Sequence, residues 1–380
     1  MRCFKNARAY VAGKGIVITD IAFDAKIRSI GSADGDVIEL PRGVLVAPAF
    51  IDGHIHGAGG ADAMDGTPDA LGAIADTLAR EGTARFCATT MTQSKDNTLA
   101  ALAAVKAYRA QNRSGGAAII GVHLEGPFVS DKRAGAQPRE YIVKPDIALF
   151  DEYSRASGGC VKQITIAPET DGACELIRHA SARGVVCSIG HSDATYAEAR
   201  RAAECGARCV THTFNAQSPF THREAGVAGA ALLTDALYAE LIADGIHVSV
   251  PAIKLLLKNK PTDKLVLITD SIRAKGLRDG ESELGGQKVF VKNGEARLGD
   301  GTLAGSVLKM NDAVKLLVNE CGADLTRAID CATVNPANNL GIAENYGSIA
   351  TGKAADFVVL DDGLDVLMTV RDGEIIYSKL

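Results

Sequence analysis

Hydrophobic and polar positions follow two textures along this chain. Over the first forty-odd residues, turn residues and glycines separate short β-branched runs such as Ile16-Val17-Ile18-Thr19, with no helical period, which predicts small strands. The last thirty-five residues look the same. Asp356-Phe357-Val358-Val359-Leu360 reads as one strand, and Thr369-Val370-Arg371, an Asp372-Gly373 turn and Glu374-Ile375-Ile376-Tyr377 read as a hairpin. The two ends are expected to share one sheet.

Between them the pattern becomes strand, loop and helix, repeated. Thr67-Pro68 opens a segment with Leu71, Ile74, Ala75 and Leu78 at helical spacing that closes at Gly82. Segments 171–184 and 193–206 repeat the design, with Asp at the start and Gly at the end. An apolar run of strand length precedes each helix, and strand ends are predicted near His56, Thr90, Glu125, Pro168, His191, His212, His247 and Asp270. Eight such units match a (β/α)8 barrel with right-handed crossovers. An open doubly wound sheet is the alternative, but no Gly-x-Gly-x-x-Gly follows the first strand to support it.

Composition narrows the classes without choosing the fold. The 380 residues are 47% hydrophobic and 23% charged, which suits a soluble globular protein and excludes disorder and collagen-like repetition. Lys+Arg 41 against Asp+Glu 46 leaves a net charge of −5 without a long single-sign block, so no nucleic-acid or membrane partner is expected and a small-molecule ligand is. Nine cysteines are scattered, and Cys205 and Cys209 lack the spacing of a redox or zinc motif. They are expected to be free thiols in a reducing, cytoplasmic compartment. No uncharged apolar run approaches the roughly 20 residues of a membrane helix, and Met1-Arg2-Cys3-Phe4-Lys5-Asn6 has no apolar segment behind it.

Six of the eight predicted strand ends carry a side chain able to bind a metal or move a proton, and in a barrel those ends converge on one face. His54 and His56 flank Ile55, so in a strand both imidazoles point the same way, either as half of a metal site or as polar residues on a solvated face. Glu125 ends His123-Leu124-Glu125 after an apolar run; its counter-charge is a metal or an arginine. His191 and His212 each follow a short apolar run, where a lone histidine is more often a hydrogen-bonded core residue. Asp270, after Leu265-Val266-Leu267-Ile268-Thr269, reads alone as a helix N-cap. Together these residues make a set suited to metal-assisted hydrolysis, with a carboxylate to take a proton from water and return it to a leaving nitrogen.

The blocks Phe50-Ile51-Asp52-Gly53-His54-Ile55-His56-Gly57, His123-Leu124-Glu125-Gly126-Pro127, Gly190-His191-Ser192-Asp193-Ala194-Thr195, Thr211-His212-Thr213-Phe214-Asn215-Ala216, Asp244-Gly245-Ile246-His247, Thr269-Asp270 and Gly301-Thr302-Leu303-Ala304-Gly305-Ser306 resemble the amidohydrolase superfamily, within it the N-acetylglucosamine-6-phosphate deacetylase family. The His-Leu-Glu-Gly-Pro block is the specific one, because a glutamate stands where many amidohydrolases use a modified lysine. The tail Gly352-Lys353-Ala354-Ala355-Asp356-Phe357-Val358-Val359-Leu360 resembles the superfamily's C-terminal return into a small β-domain. The resemblance implies a metal-dependent hydrolase barrel over 48–344, with a small β-sandwich domain built from 1–47 and 345–380.

It further implies that Glu125, His191 and His212 hold a main divalent metal, that His54 and His56 serve a second, and that Asp270 is general base and then acid. One or two ions per subunit are expected, zinc first, with iron, manganese or cobalt also suited to these donors. The substrate's 6-phosphate would meet His247 and Arg223, the arginine reaching across a homodimer, and sugar contacts would come from Ala136, Asn215, Ala216, Leu303 and Ala304. His123 is expected to orient a ligand, and His179 and His222 to be structural or exposed. The expected reaction is hydrolysis of the N-acetyl group of N-acetylglucosamine 6-phosphate, in amino-sugar catabolism or cell-wall recycling. Gln217 stands where the family usually has Met, and Ser271 where a small apolar residue is commoner, which leaves the galactosamine epimer as an alternative substrate. A catalytically silent sugar-phosphate sensor is the alternative of another class.

Overall fold

The computed structural model describes all residues, Met1–Leu380. Eight parallel strands form its centre: β1 (Phe50–Ile55), β2 (Thr83–Thr90), β3 (Ala118–Glu125), β4 (Val161–Ile166), β5 (Val186–Ile189), β6 (Ala207–Val210), β7 (Tyr238–Ile242) and β8 (Leu265–Ile268). Each pairs with its sequence neighbour, in the order β8-β7-β6-β5-β4-β3-β2-β1. The ring closes where the Asp270 N–H donates to the His54 carbonyl at 2.9 Å and the Thr269 hydroxyl donates to Asp52 at 2.5 Å. Every residue of β1, β2, β5, β7 and β8 is buried, as expected of parallel strands covered by helices outside and side chains within. The predicted barrel is therefore the observed one.

The helices show why the sequence punctuation worked and where it misled. Helix Pro68–Ala79 starts on Thr67, whose side chain accepts from the Ala70 N–H, and buries Leu71, Ile74, Ala75 and Leu78. It stops short of Gly82, which serves packing instead: with φ +84°, a Cβ there would lie 2.7 Å from Val358 and 2.9 Å from Phe50. Helix Tyr196–Cys205 is opened by a capping box of Thr195 and Glu198, not by Asp193. Helix Ala173–Ser181 begins after Gly172, one residue beyond the expected Asp171.

The expectation of nine free thiols fails at one pair. Cys174 and Cys205 are joined across these two adjacent helices with their Cα atoms 5.6 Å apart, and the other seven cysteines are buried and free. A separation of 31 residues gave no local sign of the pairing, which depends on how the two helices dock.

Both chain ends build one eight-stranded sheet. Its path runs Glu374–Ser378, Val366–Arg371, Phe357–Leu360, Leu45–Pro48, Arg2–Val11, Gly15–Phe23, Ile27–Ile30, with Asp36–Val37 beside Arg2–Val11. Phe4, Phe23 and Phe357 sit at its core, with ring centroids 5.0–5.4 Å apart. The expected hairpin is present: Arg371 pairs with Glu374, and Asp372 (φ +48°) and Gly373 (φ +74°) turn the chain with two left-handed residues. A three-stranded antiparallel sheet, Gly280–Leu284, Gln287–Lys292 and Glu295–Leu298, follows β8 and was not anticipated. Its buried Leu284, Val289, Val291 and Ala296 pack with Met91 and Ile272, placing it over the C-terminal end of the barrel.

Candidate active site

The C-terminal ends of the strands carry nearly all the expected chemistry. His54 is in β1 and His56 just beyond it, one residue apart on one face, both buried, with ring centroids 5.4 Å apart. Glu125 is the last residue of β3. His191, His212 and Asp270 each come two residues after the end of a strand, and each has a left-handed backbone, φ +45°, +27° and +47°. Such conformations cost energy in a non-glycine residue and persist only where surrounding structure imposes them. Here the turn swings each side chain off the strand direction and inward.

Glu125 is the hub of the cluster. Its Oε1 lies 3.2 Å from His191 Nε2 and 3.1 Å from His212 Nε2, while its Oε2 lies 3.0 Å from His56 Nε2 and accepts a hydrogen bond from the Gln137 amide at 2.9 Å. His54 Nε2 is 3.4 Å from both Glu125 and Asp270, and Asp270 Oδ1 is 3.2 Å from His56 Nε2. The far ring nitrogens are anchored as well: His191 Nδ1 meets the Arg133 carbonyl at 3.0 Å, His212 Nδ1 the Asn215 carbonyl at 3.1 Å and His54 Nδ1 the Glu240 carboxylate at 3.2 Å. Partners on the outer nitrogen fix the tautomer and leave Nε2 of each ring facing Glu125.

Electrostatics explain what this cluster requires. Burial by itself pushes the His54 and His56 imidazoles down, but Glu125 and Asp270 outweigh it, holding His54 well above its ordinary value and raising His56 to about 10. Burial pushes the Glu125 and Asp270 carboxyls up, and the facing imidazoles overcome it and hold both low. The two buried carboxylates therefore demand positive charge at Nε2 of the rings. A divalent cation supplies that charge in place of protons, so the residues present fit a metal. Three donor groups have their ligand atoms within 4.8 Å of one another: His54 with His123 and Glu240, and two that share Glu125, one with His191 and His212 and the other with His54 and His56.

A cavity of about 200 Å³ opens on this cluster, lined by His56, Glu125, His191, His212 and Asp270. Of the other expected site residues, Ala136, Asn215, Ala216, His247 and Leu303 also line it. Ala304 lies behind the wall, with its N–H donated to the Ala296 carbonyl at 3.0 Å. Arg223 is exposed in the turn 221–224 and does not reach the cavity of its own chain. His247 is not at a strand end as expected: β7 stops at Ile242, and the histidine lies in the following turn, where Asp244 accepts from its backbone N–H at 2.8 Å and meets its Nδ1 at 2.6 Å. His123 packs edge-on against His54 with ring centroids 4.4 Å apart, its Nε2 2.8 Å from the Thr165 hydroxyl, and burial pushes it well below its ordinary value, so it is neutral.

Sequence reasoning missed Gln137 and Glu240. Glu240 had a usable signal, a carboxylate inside the apolar run Leu237-Tyr238-Ala239-Glu240-Leu241-Ile242, where it accepts from the Gln163 amide and, at 3.3 Å, from the His212 N–H. Gln137 had none, because it sits in an irregular loop.

Strand-end imidazoles and carboxylates meeting on an open cavity of a closed parallel barrel define the class of metal-dependent barrel hydrolases. The model of the amidohydrolase family matches residues 45–376. The chain is 45% identical over 342 residues to an N-acetylglucosamine-6-phosphate deacetylase of Bacillus subtilis (strain 168), covering 90% of this chain and 86% of that one. The solved N-acetylglucosamine-6-phosphate deacetylase of Thermotoga maritima superposes with a TM-score of 0.91 at 35% identity, covering 99% and 100% of the two chains. A mutant Mycobacterium smegmatis enzyme of the same name, solved in complex with N-acetyl-D-glucosamine-6-phosphate, does so with a TM-score of 0.91 at 31% identity, covering 99% of each. This chain belongs to the amidohydrolase family, whose membership implies a divalent metal.

Proposed function

We propose that the protein hydrolyses the N-acetyl group of N-acetylglucosamine 6-phosphate to glucosamine 6-phosphate and acetate. The observation that carries this is the meeting of Glu125, His191, His212, His56 and Asp270 on one cavity, with His54 buried behind it against Glu125 and Asp270, in a chain so similar to deacetylases of that name. Glu125, His191 and His212 would hold a main metal and His54 and His56 a second, with zinc the leading candidate for imidazole and carboxylate donors. When bound, the metal supplies a Lewis acid for the amide carbonyl and lowers the pKa of water to about 7.

The chain's own residues do the rest. Asp270, ionised beside His56 and exposed enough to touch the cavity, accepts the proton of the attacking water at Oδ1 and returns it to the departing amine nitrogen. His56, Glu125 and the loop around Asn215 and Ala216 shape the floor, and Leu284 and Met91 cover the side. His247, held by Asp244, faces the cavity as a phosphate contact, and Arg223 of a second subunit would complete that contact in a homodimer. The terminal sheet, assigned to 1–47 and 345–380, supports the 48–344 barrel. A cytoplasmic setting in amino-sugar metabolism completes the reading.

Acetate release from N-acetylglucosamine 6-phosphate, N-acetylgalactosamine 6-phosphate and unphosphorylated N-acetylglucosamine tests it, with metal analysis of protein purified without chelator. The glucosamine phosphate is expected to be fastest and the sugar without phosphate slowest. Equal rates without phosphate would remove the roles given to Arg223 and His247; a faster galactosamine substrate would reassign the epimer; no release from any would refute the proposal.

A further inference from the structure

The opposite end of the barrel carries a cleft of about 720 Å³, larger than the cavity at the active site. It lies where β2, β3 and β4 begin, against helix Lys95–Ala110 and the hairpin at Arg371. Its lining is strongly basic, with Arg85, Lys106, Arg109, Arg113, Lys162 and Arg371 against Asp372 alone. Arg85 is neutralised by Asp356 and Asp372, and Arg113 by Asp76 at 2.8 Å. Lys106, Arg109 and Lys162 have no carboxylate within salt-bridge reach, in a chain whose net charge is −5.

Arg371 is the decisive member. It is 9% exposed, and its Nη1 and Nη2 donate to the neutral carbonyls of Arg113, Ser114, Gly115 and Gly116 at 2.6–3.3 Å, while its Nε has no hydrogen-bond partner and Asp372 stands 3.6 Å away. This buried guanidinium hydrogen-bonds only to carbonyls, lies beside the like charge of Arg85, and shares its nearest carboxylate, Asp372, with that arginine, so its charge is only partly offset. Lys162 is laid across β3 because residue 121 is glycine: a Cβ there would come within 2.3 Å of the lysine Cγ. Ile119, Ile342 and Tyr346 give the cleft an apolar wall, with Arg85 stacked 4.5 Å from the centre of the Tyr346 ring.

We propose that this cleft is a second binding site, separate from the catalytic one, for an organic phosphate. Two lysines and an arginine free of carboxylates match a multiply charged anion better than a single carboxylate, and the apolar wall accommodates its carbon skeleton. Because Arg371 comes from the terminal sheet and the lysines from the barrel, the ligand ties these two parts together.

Isothermal titration of the full-length protein with inorganic phosphate, glucose 6-phosphate and a nucleoside diphosphate tests this, with Lys106→Gln/Lys162→Gln as the comparison. Each lysine is a charged hydrogen-bond donor, so the double variant should bind the organic phosphates at least about tenfold more weakly. Its far- and near-ultraviolet circular dichroism should match the parent, and its acetate release should be unchanged. Binding that is equally tight in the variant would assign the anion to another site and overturn the proposal, as would the absence of saturable binding by all three probes.

Discussion

The two ends of the barrel use the same eight strands in opposite ways. At the C-terminal end, His191, His212 and Asp270 leave their strands through left-handed backbone, and five imidazole and carboxylate side chains crowd around Glu125 and the cavity. Toward the N-terminal end, charges are matched pairwise: Lys275 and Glu81 meet at 2.9 Å, fully buried, and Arg85 closes on Asp356 at 2.8 Å. Strain and unsatisfied charge are thus concentrated where a ligand is to be engaged, and paired charges hold the strands in register where none is. The basic cleft is the exception at the lower end, which is why it stands out as a site.

The largest effect should come from Asp270. Asp270→Asn keeps the shape of the side chain but removes its ability to accept a proton, so kcat for acetate release should fall about 100- to 10,000-fold. Metal content and thermal midpoint should stay near those of the parent. An unchanged kcat would show that the proton is handled elsewhere and would break the distinction between the two ends.

Lys275→Met tests the lower end with the opposite signature. Breaking a buried pair from one side costs about 3–5 kcal/mol, measurable by urea denaturation, while kcat of the folded fraction should be retained. Burial already pushes the carboxyls of Asp52 and Glu81 up, and Lys275 pulls both back. A carboxyl whose folded pKa is raised contributes stability below its unfolded value and loses it as pH rises through the folded value. Without Lys275 that loss grows, so the deficit should be larger at neutral pH than near pH 4; an equal deficit at both would mean the two carboxyls are governed by something other than this lysine.

The same contrast shows what could be read from the sequence. Strand ends carrying His54, His56, Glu125, His191, His212 and Asp270 were legible because each follows an apolar run, and a barrel brings such ends together. The hairpin at Asp372-Gly373 was legible because its turn needs two left-handed residues. Contacts between distant elements were not. The Cys174–Cys205 link, the Lys275–Glu81 pair and the loop that brings Gln137 to Glu125 depend on docking, which has no local period. His247, predicted near a strand end, lies beyond it because the strand stops at Ile242 and Asp244 begins a turn by accepting the N–H groups of Ile246 and His247 at 2.8 Å.

The smallest effect should come from the residue that links the strand interior to the site. Glu240 is buried in β7, and its carboxylate meets His54 Nδ1 at 3.2 Å while also accepting from Gln163 and from the His212 N–H. Through His54 and His212 it orients members of both donor groups that share Glu125 without facing the cavity, which it does not line. Glu240→Gln preserves the volume and removes the charge that holds His54 with Nε2 toward Glu125, so metal affinity measured against a competing chelator should fall about 10- to 100-fold. With metal in excess, KM for the acetylated substrate should hardly move, because substrate does not touch this residue. Metal affinity equal to the parent's would show that packing against His123, rather than the carboxylate, sets the orientation of His54, and the division between a strained, charge-oriented upper end and a paired lower end would then rest on backbone alone.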